Sequence, residues 1–235
     1  MTDALNAAVP LLLEILFPSP CVLCGTELFS ERRRPGPICS SCDRDLTEYD
    51  GPRCAKCGKP LISEEKICMR CRDRTFDFDS AYPLWDYSGD LKNLVLAFKA
   101  RGIRRLSAFF ARRVTRYLSR ERPRTPVVPV PFRKAKFRKR GWDQVEDIAR
   151  DLERMGVPVI RCLERDSGPS QKTLDYSARL SNLSGKISVA DGFAVPPSVV
   201  LLDDVLTTGA TLSECARVLK THGAVRVDAV VLAAD

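Results

Sequence analysis

Two adjacent carboxylates followed by a hydroxyl-rich turn stand out in the stretch VVLLDDVLTTGATL, residues 199–212. Asp203 and Asp204 can accept hydrogen bonds from a vicinal diol, because ionised carboxylates are pure acceptors. Thr207, Thr208 and Thr211 add hydroxyls and Gly209 permits a tight turn. The amides leading from Ala210 into a helix can cradle an anion. A ligand carrying a phosphate beside neighbouring hydroxyls satisfies both halves of the stretch, and a phosphorylated ribose has both. The plainer alternative is a strand end followed by a threonine N-cap, but a cap needs one hydroxyl and no paired acids.

A second chemistry lies in the cysteines. Eight of the ten fall into C-x-x-C pairs: Cys21 with Cys24, Cys39 with Cys42, Cys54 with Cys57, and Cys68 with Cys71. Each half of this repeat opens with a knuckle closed by glycine, Gly25 or Gly58, where amides can face thiolate sulfur. Two tetrahedral zinc sites of four thiolates each follow, with a structural role because four protein ligands leave no place for water. The sites pair in sequence order, and a cross-braced arrangement is the alternative. Redox C-x-x-C pairs are a further alternative, although the βαβ setting of such motifs is missing. Cys162 and Cys215 read as small buried hydrophobes.

Strands and helices must hold these groups. Val199 to Leu202 shows no polar alternation, as in a strand covered on both faces within a parallel α/β sheet, and ligands of such sheets bind beyond the carboxyl ends of strands. Val127 to Val130, Val157 to Ile160 and Val225 to Leu232 read as further strands, and Phe76 to Tyr87 as the first of them. Leu91 to Leu118 is helical in pattern and broken at Gly102. It sets Leu106, Phe109, Phe110, Val114 and Tyr117 against Arg105, Arg112, Arg116 and Arg120. Asp143 with Glu146 forms a capping box, and Trp142 before it reads as a hydrophobic staple. Ala4 to Phe17 reads as a short apolar helix, and the segment from Asp166 to Lys172 as a polar loop. His222 before Gly223 marks a helix carboxyl end.

Composition bounds the class. A 235-residue chain with 44% hydrophobic residues can bury a real core. The start, Met1 to Phe17, has no basic residue and carries Asp3 and Glu14, unlike a secretory signal, and no apolar run is long enough to span a bilayer. With metal-type cysteine spacing, a reducing, cytoplasmic setting is expected. The net charge of +8 is uneven: residues 99–140 hold sixteen Lys or Arg and one acid, Glu121. Such a stretch is either a solvated helix face or a contact for nucleic acid.

The 199–212 stretch closely resembles the signature loop of type I phosphoribosyltransferases. That resemblance implies binding of 5-phosphoribosyl-1-pyrophosphate (PRPP) with Mg²⁺. Asp203 and Asp204 would hold the ribose hydroxyls, and Thr207, Thr208, Gly209, Ala210 and Thr211 the 5′-phosphate. Further segments narrow it: LLLEILFPSPCVLCG at 11–25, FKARG at 98–102, VPVP at 128–131, RGWDQ at 140–144 and QKTLDYSARLSN at 171–182. Together they resemble the ComF family, competence-associated proteins that join an amino-terminal zinc-ribbon region to a phosphoribosyltransferase-like domain. The implied layout is a helix in 1–20, a double zinc ribbon in 21–75 and a parallel-sheet α/β phosphoribosyltransferase-like domain in 76–235. The resemblance further implies a pyrophosphate loop after Val130 with Arg133 and Lys134 as ligands. It also implies a closing loop bearing Gln171, Lys172, Arg179 and Asn182, in which Lys172 neutralises developing charge. One departure is Gly-Trp-Asp-Gln at 141–144, where the family pattern has Gly-Phe-Asn-Gln. The implied function is phosphoribosyl transfer to an unspecified acceptor in DNA uptake. The rival reading is a non-catalytic single-stranded-DNA-binding or PRPP-sensing accessory whose zinc ribbons meet a helicase or translocase.

Overall fold

The computed structural model describes residues 20–28, 36–61, 65–165 and 185–235. The expected helix over Ala4 to Phe17, the loop from Asp166, and Gln171, Lys172, Arg179 and Asn182 lie outside the described residues. In chain order the elements are α1 (Ser40–Asp45), α2 (Met69–Arg72), β1 (Ser80–Asp86), α3 (Gly89–Lys99), α4 (Leu106–Glu121), β2 (Val127–Pro129) and α5 (Lys134–Arg140). They continue with α6 (Gln144–Arg154), β3 (Leu163–Arg165), β4 (Ile187–Val189), β5 (Ser198–Leu206), α7 (Ala210–Thr221) and β6 (Arg226–Ala234). No helix among the described residues is long and apolar enough to cross a membrane.

Strands β1, β6, β5 and β2 form a parallel sheet in that spatial order, and β3 pairs antiparallel with β4. The unbroken apolar run of β5 is explained by cover on both sides. Val200 and Leu202 pack with α3, α4 and α6 in one core, while Val199 and Leu201 pack with α7 in the other. The result is an α/β parallel-sheet fold with a cysteine-rich region before it.

Three sequence expectations change. Val157 to Ile160 does not make a full strand: Val159 forms one parallel bridge to Val127, since Pro158 has no N–H to continue the ladder. β1 begins at Ser80 rather than Phe76, because Phe76 packs on Gly209 of the turn after β5 and Asp77 bonds Ser213 of α7. β5 runs on to Leu206, beyond the expected Leu202, and carries Asp203 and Asp204 toward its carboxyl end.

The cysteine-rich region docks on both faces of the sheet. Its first half contributes Cys21, Ile38, Cys39 and Leu46 to the α3/α4 core, and Trp85 Nε1 donates to Leu46 O at 3.4 Å. Its second half contributes Cys54, Cys57 and Cys71 to the α7 core. There Ala81 N donates to Lys56 O at 2.8 Å, so the knuckle covers the open edge of β1. A Cβ on Gly58 would lie 2.3 Å from Ala81 O, so this approach requires glycine.

Candidate functional site

β2 leaves β5 one residue before the acids. Pro129 is the last register partner, opposite Leu202, and Val130 N donates to Leu202 O at 2.9 Å. β6 stays paired with β5 through Leu206. A crevice therefore opens on the β2 side at Asp203 and Asp204, at the carboxyl ends of the strands where open α/β sheets bind ligands.

The pleat separates the two acids. Asp204 faces α3 and α6: Lys99 Nζ lies 2.8 Å from Asp204 Oδ2, and Gln144 Nε2 donates to the same oxygen at 2.7 Å. Its Oδ1 accepts from Val205 N at 2.7 Å, so Asp204 is both buried and well satisfied. Burial pulls the Lys99 ammonium down, but Asp204 and, behind it, Asp203 outweigh that and hold it above the ordinary lysine value. Asp203 faces the other way, where its charge is felt by Arg165 of β3 and Cys215 of α7. Burial and the neighbouring Asp204 push the Asp203 carboxyl up to about 7, against a hydrogen bond from Asp204 N at 2.8 Å.

Cations converge on this crevice from elements far apart in sequence. Burial pulls Lys136 of α5 below the ordinary lysine value, Asp143 opposes that, and Lys99 and Arg140 add to it. Burial likewise lowers Arg165, with Arg133 adding to the effect and Asp203 opposing it. Lys99, Lys136, Arg133 and Arg165 thus share one field with the acids, and like charges held together in a half-desolvated cleft suit a polyanion. Sequence reasoning named Arg133 but missed Lys99, Lys136, Gln144 and Arg165. Lys99 and Gln144 sit inside the FKARG and RGWDQ segments. Gln144 Oε1 is buried with no hydrogen-bond partner among the described residues, an open acceptor beside Asp204.

The turn after β5 is tight and leads directly into a helix N-terminus. Gly209 adopts φ +82°, and α7 starts at Ala210, whose N–H lies 3.4 Å from Thr208 Oγ1. A Cβ on Gly209 would meet the Phe76 ring at 2.7 Å. Thr207 is exposed, and Thr208 and Thr211 are half-buried.

The pair after β2 divides. Arg133 is exposed at the start of α5. Lys134 bonds Glu164 Oε2 at 3.2 Å. Beside it, a cleft of about 190 Å³ is lined by Val130, Phe132, Lys134, Arg161, Leu163 and Arg165, among others.

At α6, Asp143 caps the helix, accepting from Val145 N at 2.9 Å and Glu146 N at 3.3 Å. Glu146 does not close the expected box. Its oxygens take Arg150 and Arg161 instead, each at 3.1 Å. The fourth helical position is Asp147, so Trp142 has no staple partner there and packs on Phe98, ring centroids 5.8 Å apart, under Arg140.

The thiols gather as Cys21, Cys24, Cys39 and Cys42, and as Cys54, Cys57, Cys68 and Cys71, with the sulfurs of each set within 4.8 Å of one another. Pairing is therefore sequential, not cross-braced. Cys39 N points at Cys21 Sγ and Cys68 N at Cys54 Sγ, both at 3.3 Å, the amide-to-thiolate contacts of a zinc knuckle. Four thiols per cluster fit structural Zn²⁺.

Residues 12–72 match the double zinc ribbon domain family. Competence protein ComFC of Streptococcus pneumoniae is 25% identical over 87% of this chain and 94% of that protein. Competence protein ComFC of Bacillus subtilis is 29% identical over 79% of each chain. DNA utilization protein YhgH of Escherichia coli K12 is 28% identical over 81% of this chain and 87% of that protein. Among solved structures, a hypoxanthine phosphoribosyltransferase from Trypanosoma cruzi aligns at 18% identity with a TM-score of 0.36. That alignment covers 56% of this chain and 66% of that one, just under two thirds of it.

Proposed function

We propose that this chain, which belongs to the ComF family, binds Mg²⁺·PRPP in the crevice at the end of β5 and acts in DNA uptake. The observation that carries the binding reading is the meeting of a cation cluster, a diol-accepting pair of acids and an anion-cradling turn in one crevice. Names of relatives such as competence protein and DNA utilization protein support the cellular role.

In this reading the turn of Thr207 to Thr211 takes the 5′-phosphate, and Asp203 takes ribose hydroxyls. Asp204 is held by Lys99 and Gln144 and fixes the strand end as much as it meets ligand. Arg133, Lys136 and Arg165 face the pyrophosphate, with Lys134 recruited if Glu164 releases it. Transfer breaks the ribose C1–O bond, the electron pair leaves with pyrophosphate, and an acceptor nucleophile bonds C1 and gives up its proton. Bound Mg²⁺ would neutralise charge on the leaving pyrophosphate. Lys172 in the implied closing loop is assigned the same task from the chain's side. These residues work by positioning and electrostatics.

Calorimetric titration with PRPP, with and without Mg²⁺, tests the site. The double variant Asp203→Asn, Asp204→Asn is expected to lose binding more than about a hundredfold while keeping its far-UV spectrum. Unchanged affinity removes the assignment.

A second reading, single-stranded-DNA contact through residues 99–140, rests on the exposed Arg105 before α4 and on Arg116 and Arg120 within it. Ion pairs within the stretch temper it, since Lys99, Arg104, Arg113 and Arg122 are tied to Asp204, Asp147, Asp43 and Asp228. A backbone-tracking contact requires affinity that falls steeply with salt, and salt-insensitive binding excludes it.

A further inference from the structure

We infer that the second zinc ribbon is part of the phosphate site: Arg70, held between two zinc ligands, positions the 207–211 turn, so zinc in that ribbon and PRPP bind cooperatively. The inference rests on the PRPP reading above. Arg70 lies in α2, a single turn capped by Cys68 and containing Cys71. Its Nη2 donates to Thr207 O, and its Nη1 donates to Asp235 O at 3.2 Å. Lys59, from the other strand of the ribbon, donates to the same Asp235 carbonyl, and Asp235 N donates back to Leu206 O at 3.0 Å. The guanidinium thus ties the ribbon to both residues that flank the end of β5.

The segment leaving the ribbon continues the support. Phe76 lies against the face of Gly209 so closely that no side chain fits there. Asp77 then accepts from Ser213 Oγ at 2.7 Å, and Asp77 N donates to the same hydroxyl at 3.0 Å. The segment from Cys68 onward therefore touches the 207–211 turn through Arg70 and Phe76, and the first turn of α7 through Asp77. A planar fork that holds the Thr207 carbonyl from outside fixes the backbone of the turn that would meet the anion. It also places a positive charge between the phosphate and the thiolate cluster, which with Zn²⁺ sums to a formal −2. The first ribbon touches none of the turn's residues in any described contact, docking instead on α4 and β1.

Cooperativity between two ligands is reciprocal, which gives a measurement needing no variant. Zinc release from the holo protein to a chromophoric chelator is followed with and without Mg²⁺·PRPP. Two phases are expected, and PRPP slows one of them about tenfold while leaving the other unchanged. Arg70→Ala should abolish that protection and raise the Kd for PRPP about tenfold, with Arg70→Lys in between, because a lysine restores charge but not the fork. Met69→Ala, in the same turn but 80% exposed, is the control and should bind like wild type. If wild type binds PRPP but neither zinc phase responds, or if Arg70→Ala binds as tightly, the inference fails while the phosphoribosyl site stands. An equal loss in Met69→Ala also overturns it, since the effect would then belong to the ribbon's fold. Failure of wild type to bind PRPP removes both.

Discussion

The two zinc ribbons share a ligand pattern and differ in what they hold. The first sits on the α3/α4 side, where Arg113 pairs with Asp43 and lies 3.8 Å from Glu48, and Arg105 donates to Pro20 O at 3.0 Å. These partners are helix surface. The second ribbon covers the edge of β1 and reaches the turn after β5. Identical metal chemistry is thus used once to brace a helix and once to finish a sheet and, in our reading, a ligand site. A structural metal has no function of its own here; its consequence is set by the neighbour it immobilises.

The comparison breaks most readily at the ligands themselves. Structural zinc in isolated fingers is worth about 10–16 kcal/mol of binding energy that appears as folding energy. Cys54→Ser with Cys57→Ser should cost the protein both the second zinc and PRPP affinity, the latter by at least about a hundredfold. Cys21→Ser with Cys24→Ser should cost the first zinc and several degrees of Tm, yet leave the Kd for PRPP within about threefold. Metal content by mass spectrometry beside calorimetry decides the matter. Equal loss of PRPP binding in both double variants would mean that the ribbons form one cooperative unit.

The ribbons were also the most legible part of the sequence, because four ligands in C-x-x-C pairs announce their chemistry through local spacing. Only their pairing order needed the fold, and Cys24 and Cys39, 3.6 Å apart, settle it. The acid pair and its turn were legible for the same reason, being contiguous. Their partners were not. Lys99 ends α3, Lys136 lies in α5, Gln144 opens α6 and Arg165 ends β3, so they meet at Asp203 and Asp204 only through packing. Local rules failed where long-range partners outbid them: Glu146 reads as a capping residue but turns to Arg161 from across the loop. Pro158 likewise interrupts what hydropathy alone scores as a strand.

The two acids sharpen the comparison at smaller scale, since one is structural in its contacts and the other is half-buried at the crevice. Asp203 has its carboxyl raised from 3.8 to about 7 by burial and Asp204. The native state therefore holds a proton that the unfolded chain releases between about pH 4 and pH 7. The stability this gives is present below pH 4 and is lost as pH rises through about 7. Asp203→Asn removes that loss and should stabilise the unliganded protein by roughly 1–3 kcal/mol at pH 8, a gain that fades toward pH 4. Asp204→Asn leaves Lys99 without its counter-charge and should destabilise by about 1–2 kcal/mol. Urea unfolding at pH 5 and pH 8 separates the two. A destabilised Asp203→Asn at pH 8 would remove the raised carboxyl.

The smallest contrast lies in the arginines that dock each ribbon. Arg53 reaches from the second ribbon to Gly58 O at 2.9 Å, Pro83 O at 3.0 Å and Tyr49 O at 2.6 Å, with its guanidinium 4.7 Å from the Tyr82 ring. Three carbonyls and an aromatic face are satisfied by one fork, and its removal leaves half-buried carbonyls unpaired. Arg53→Ala should cost about 2 kcal/mol and, because β1 belongs to the sheet whose β5 carries the turn, a few-fold in PRPP affinity. Arg113 in the first ribbon's interface faces two carboxylates that water can reach once it is gone. Arg113→Ala should cost about 1 kcal/mol and leave PRPP affinity unchanged. If Arg113→Ala instead weakens PRPP binding as Arg53→Ala does, the two ribbons are coupled through the sheet, and the division of labour between them is lost.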